Sequence, residues 1–241
     1  MHRSPPTSVP LPVFRDDAWI PAPSHDGTVS LNPDPPEPVG DRPGFGRSGL
    51  LGRRWHGGRV WEIDYPQKRF LLHAVPPAES WTTTAPLGFR ERNGERLFHF
   101  PRVQVSVDGE ILDVLFDTGA HTRLSSAAAA VGAAGSVIAT SFIIETVAQR
   151  WRDRHPDWPV VQGGEAGSEA TMIRAASVLI GGVDVGPVWF TQRADANFLE
   201  HMSQWMDKPV VGAIGGNAFH RLRLLVDYPG ALLHLHEASH A

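Results

Sequence analysis

Along residues 97–124 apolar and polar positions alternate with a period of two. Val103, Val105 and Val107 fall on one phase, Asp108-Gly109 follows, and then come Ile111, Leu112, Val114, Leu115 and Phe116. Alternation of this kind predicts strands. Asp-Gly between two such runs predicts a tight hairpin, because both central positions of a type I′ turn need positive φ. A second hairpin is predicted at Gly181-Gly182, between Val178-Leu179-Ile180 and the run Val183, Val185 and 188–190. Two stretches carry a helical period instead. In 141–152, Ile143, Val147 and Trp151 share one face. In 196–206, Phe198, Met202, Trp205 and Met206 do so, with Asp195 as N-cap and Pro209 as the stop. The pattern is mainly β with short helices.

Composition supports this and removes several alternatives. Among 241 residues there are 24 Gly and 21 Pro, which suits many turns and short strands. The net charge is -4, and the densest basic stretch, 150–155, contains Asp153, so nucleic-acid binding is not indicated. No run is apolar enough for a membrane segment; 124–140 is mostly Ala, Gly and Ser. No signal peptide is visible, since no apolar stretch follows Arg3. The chain has no Cys, which leaves the compartment open. Residues 1–45, with Pro-Pro at 5–6 and 35–36, read as a flexible arm.

The chain repeats itself. Residues 49–73 align without gaps on 212–236, with seven of 25 positions identical. Both copies open on Gly-x-x-Gly, carry Asp-Tyr-Pro at the same offset (Asp64, Asp227) and close on Leu-His. Such self-similarity indicates duplicated structure. The two Asp residues are expected to shape turns.

An apolar strand running into Asp-Thr-Gly-Ala carries the candidate chemistry. It stands as Val114-Leu115-Phe116-Asp117-Thr118-Gly119-Ala120, with Thr122 and Leu124 after it. Further on, Val210-Val211-Gly212-Ala213-Ile214-Gly215-Gly216-Asn217 supplies an apolar-apolar-Gly segment before a short turn. Together these resemble the retropepsin-like aspartic peptidases, the bacterial clan AA aspartyl proteases, over about residues 97–236. The resemblance implies a closed β-barrel lobe at 86–241, with 46–75 as an accessory strand segment repeating a lobe's C-terminal end. It implies Asp117 as the catalytic carboxylate, supported by Thr118, Gly119 and Ala120. Thr118 would hydrogen-bond to a partner loop, and Gly119 would let two loops approach closely. A glycine-rich flap is expected within 160–173, at Gly163, Gly164 and Gly167. The implied substrate is a peptide or protein, with no cofactor and no metal.

In this family a water lies between two carboxylates, one per lobe, which share a single proton because both cannot ionise side by side. This chain has one Asp-Thr-Gly. Asp117 and Gly212 are 95 residues apart, whereas 48 residues precede Gly49, so the repeat lacks the front of a lobe. Three arrangements are open: a homodimer pairing two Asp117 residues, a missing second lobe, or a silent peptide-binding or dimerisation module. Of the 12 His residues, His234 and His236 alternate on a strand, yet a structural role is favoured over metal binding. His121, beside the loop, is expected at the surface, and Trp189 and Trp205 in the core.

Overall fold

The computed structural model describes residues 56–130 and 137–237, with the backbone of two short strands, β1 (Val29–Ser30) and β2 (Leu50–Leu51). Apart from β1, the arm expected at 1–45 lies outside the described residues. β3 (Val60–Asp64) and β4 (Arg69–His73) form a hairpin, and β5 (Thr83–Pro86) follows. β6 (Glu91–Arg92) and β7 (Glu95–Arg96) make a small ribbon. β8 (Arg102–Val107) and β9 (Glu110–Asp117) are the alternating pair. Asp108 and Gly109 turn between them at φ 51° and 77°, as an Asp-Gly hairpin requires. Next come β10 (His121–Arg123), helix α1 (Ser126–Ala130), β11 (Val137–Ala139), β12 (Ser141–Ile144) and helix α2 (Glu145–Arg154). β13 (Val160–Val161) pairs with β14 (Met172–Ala175), and β15 (Leu179–Ile180) with β16 (Val183–Asp184) across Gly181-Gly182. β17 (Val188–Arg193), β18 (Gly212–Gly215), β19 (Leu222–Asp227) and β20 (Leu232–Glu237) complete the chain.

The protein is mainly β. One sheet has nine strands in the order β13-β14-β17-β12-β18-β9-β8-β15-β16; another has five, in the order β4-β3-β19-β20-β5. Among the described residues the nine-stranded ladder ends at β13 and β16, and no ring of hydrogen bonds closes it into the expected barrel. The alternation decides which face is buried. Val103, Val105, Val107 and Val114 are fully enclosed, while Ile111, on the opposite phase, stands 68% exposed.

Both helix expectations need correction. Residues 141–144 are not helical but form β12, hydrogen-bonded to β17 on one side and β18 on the other. Pairing on both edges satisfies the backbone there and overrides the 3.6-residue period. Helix α2 starts only at Glu145, keeping Val147 and Trp151 buried, while Ile143 reaches the core from the strand. The stretch 196–206 is a π-helical segment (Asn197–Met202) followed by a 3₁₀ turn (Ser203–Trp205). Asp195 does not cap it. Its carboxylate instead accepts from the Thr146 N–H at 3.0 Å and from the Thr146 hydroxyl, at the start of α2. Trp205 is not core either: it is 38% exposed and packs edge-on against Phe98.

Candidate active site

Asp117 is the last residue of β9, held from both sides. β8 pairs with the strand leading to it, and β18 runs parallel beside it, Gly215 opposite Asp117. Val114, Leu115 and Phe116 are buried, so the carboxyl emerges from an apolar strand. Behind β18 lies a group of enclosed polar side chains that inspection of the sequence missed. Ser141 Oγ accepts from the Gly215 N–H at 2.9 Å and donates to Asn217 Oδ1 at 2.8 Å. Asn217 Nδ2 donates to the Trp189 carbonyl at 2.8 Å, and the Thr140 and Thr191 hydroxyls meet at 2.9 Å. Every buried donor here has a partner, so the network fixes β12, β17 and β18 relative to Asp117. The only sequence signal was Asn217 after Gly215-Gly216.

Within the loop, the Gly119 N–H donates to Asp117 Oδ1 at 3.1 Å and the Ala120 N–H to the Asp117 carbonyl at 3.1 Å. Thr118 makes no side-chain hydrogen bond among the described residues, leaving its hydroxyl available. Gly119 has no positive φ, and a Cβ there would meet only Asp117 Oδ1, at 3.5 Å. Among the described residues, no neighbour demands glycine at that position. Ala120 is buried, and its carbonyl accepts from the Thr140 N–H at 3.0 Å. His121 is exposed, with Nδ1 3.0 Å from the Gly119 carbonyl.

Burial pushes the Asp117 carboxyl above the usual carboxylate range, against the Gly119 N–H, the charge of His121 and the Ala120 N–H, which favour the anion. Tyr228 lies within the field of that carboxylate: its hydroxyl is pushed up to about 12, by burial and by the Asp117 charge. A carboxyl whose folded pKa is raised contributes most below its unfolded pKa, and that contribution is lost as pH rises through the folded value. Asp117→Asn is therefore expected to be more stable than wild type at neutral pH, the difference vanishing in acid. Denaturant midpoints at the two pH values check this; equal midpoints at neutral pH would contradict the burial cost.

The segment expected to be a flap joins β13 to β14, with Gly163 and Gly167 at φ 58° and 85°. It rests on the strand that follows the Asp117 loop. The Ser125 N–H donates to the Gly164 carbonyl at 2.9 Å, and the Ala166 N–H to the Arg123 carbonyl at 2.8 Å. Glu165 clamps it: its carboxylate accepts from Thr122 Oγ1 at 2.6 Å, from Arg193 at 2.7 and 2.8 Å, and from Ser168. Burial raises the Glu165 pKa, but these donors outweigh it, and the group ends below the usual range. Glu165→Gln is expected to cost about 1–3 kcal/mol and to speed amide exchange at Ser125 and Ala166. Unchanged exchange there would show that the clamp holds nothing.

The remaining candidates find structural partners. Asp64 Oδ1 accepts from the Gln67 N–H and Asp227 Oδ1 from the Gly230 N–H, both at 2.9 Å. Thr84 Oγ1 lies 2.8 Å from His234 Nδ1, and His73 Nε2 lies 2.6 Å from Glu62. Trp189 is half-buried, against Leu124, Val161 and Met172. Among the described residues no cluster of three or more His, Asp or Glu could hold a metal, and no helix is long and apolar enough to cross a membrane.

No family model matches the sequence, and no curated protein does. Among solved structures, a retropepsin-like aspartic protease from Rickettsia conorii is similar, with 15% identity and a TM-score of 0.38. The similarity covers 66% of this chain and 98% of that one.

Proposed function

We propose that this chain carries one half of an aspartic peptidase site, with Asp117 as one carboxylate of a pair that hydrolyses peptide bonds. The observation that carries the reading is Asp117 itself, half-buried at the end of an apolar strand, its pKa raised. A carboxyl of this kind holds a proton longer than a solvated one. Set against a second carboxylate, it would share that proton, and the pair would titrate as a unit. The ionised member would take a proton from water as the water attacks the peptide carbonyl; the protonated member would donate to the carbonyl oxygen. Thr118, Gly119 and Ala120 would position the carboxylate. Gly163, Gly164 and Gly167 would lie in the covering hairpin, which the Glu165 clamp holds against the strand after the loop.

The test is cleavage of a mixed peptide library at acidic and neutral pH, in an assembly that sets a second carboxylate against Asp117. Cleavage that survives Asp117→Asn would remove this residue from the chemistry. A second reading, a peptide-binding module without chemistry, is favoured by the single Asp-Thr-Gly loop. It predicts peptide affinity that is unchanged by Asp117→Asn, with no turnover.

A further inference from the structure

The sequence repeat is also a structural repeat, down to single hydrogen bonds. β3–β4 and β19–β20 are the two copies of one hairpin. In each, the Asp of Asp-Tyr-Pro caps the N–H three residues on, at 2.9 Å. In each, the residue after that one takes a left-handed conformation, Lys68 at φ 53° and Ala231 at φ 54°.

The two copies pair with each other about a local two-fold axis. Val60 faces Asp227 and Asp64 faces Arg223, while in the alignment Val60 corresponds to Arg223 and Asp64 to Asp227. The ladder is thus centred on Glu62 and Leu225, which are themselves counterparts. Its end bonds obey the same symmetry: the Tyr65 N–H reaches the Leu222 carbonyl and the Tyr228 N–H the Arg59 carbonyl, both at 3.2 Å. An isologous contact between identical chains has this form, with each element facing its own copy. Here both copies lie in one chain. Both edges of β19 are consequently filled, by β20 and by β3.

We propose that the β3–β4 hairpin occupies, in cis, the seat that the β19–β20 hairpin of a second copy would need, so that this chain cannot pair Asp117 with itself about this axis. The proposal rests on reading Asp117 as half of a pair. Where Asp117 meets its counterpart about this axis, the second carboxylate comes from a lobe that brings no such hairpin of its own, because this chain already supplies it.

The chain has no Cys, so introduced thiols report only on their own position. Glu62 and Leu225 alternate with the hydrogen-bonded Tyr65–Leu222 type of pair, which places them at a non-hydrogen-bonded position, where Cα atoms lie closest. The full chain is expected to scatter light as a single 26.3 kDa species over a wide concentration range. Oxidised Leu225→Cys should stay monomeric, and Glu62→Cys with Leu225→Cys should close within one chain. A two-chain mass for the wild type, or a disulfide between copies through position 225, overturns the proposal.

Ile63→Pro supplies the converse. Ile63 is on the phase of Tyr65, whose N–H faces β19, so proline should release β3 and open the seat. In this background Leu225→Cys should cross-link two copies, and cleavage that Asp117→Asn abolishes should appear. A folded Ile63→Pro chain with freely exchanging β19 amides but no cross-link overturns the proposal. A cross-linked pair that does not cleave leaves the seat standing and removes the peptidase reading of Asp117. Should Ile63→Pro fail to fold, the wild-type mass and the Glu62→Cys, Leu225→Cys disulfide still decide.

Discussion

Asp117→Asn is expected to lower peptide cleavage by about 10³–10⁴-fold in an assembly where a second carboxylate faces it. The loss should fall on kcat and leave KM nearly unchanged, because Asn fills the same space but can neither take nor give the shared proton. The fold should persist: Asn can still accept from the Gly119 N–H, and burial of the charged carboxyl is a burden at neutral pH. Single-turnover cleavage alongside circular dichroism checks both parts. A loss of only a few-fold, with the fold intact, would place the chemistry elsewhere.

Gly215→Ala should be among the most damaging single changes in the molecule, at about 3 kcal/mol or more. A Cβ at that position would lie 1.8 Å from the Thr140 carbonyl oxygen and 2.8 Å from its carbon, both backbone atoms that cannot rotate away. Gly215 also pairs with Asp117 and donates to Ser141 Oγ, so any relief would move β18 and the carboxylate together. Equilibrium unfolding measures the loss. A midpoint near that of the wild type would show that β12 and β18 can separate without disturbing the sheet.

The legible parts of the fold were those set by local chemistry. Asp108-Gly109 and Gly181-Gly182 made their turns because few other residues accept positive φ there. The valines of β8 announced their buried face by alternating. Asp117 was legible because a carboxylate after an apolar strand, followed by Thr-Gly, is a compact local pattern. The errors have one source. Residues 141–144 carried a helical period yet became a central strand, because β17 and β18 offered partners on both edges. Asp195 left its own helical segment to cap α2 across a long sequence separation. Ser141 and Thr140 gave no signal, since a buried hydroxyl network exists only once distant strands are stacked.

The amino-acid order alone determined which segments extend, where the chain turns, that residues 49–73 copy 212–236, and which carboxyl ends an apolar strand. These follow from side-chain volume, φ preference and period, all acting within a few residues. Only the tertiary structure decided what the copies do with each other. Strand pairing joins backbone groups regardless of their distance along the chain, so no local pattern revealed that Glu62 would face Leu225 across a two-fold axis. The same long-range pairing set Gly215 beside Asp117 and raised that carboxyl's pKa by enclosing it.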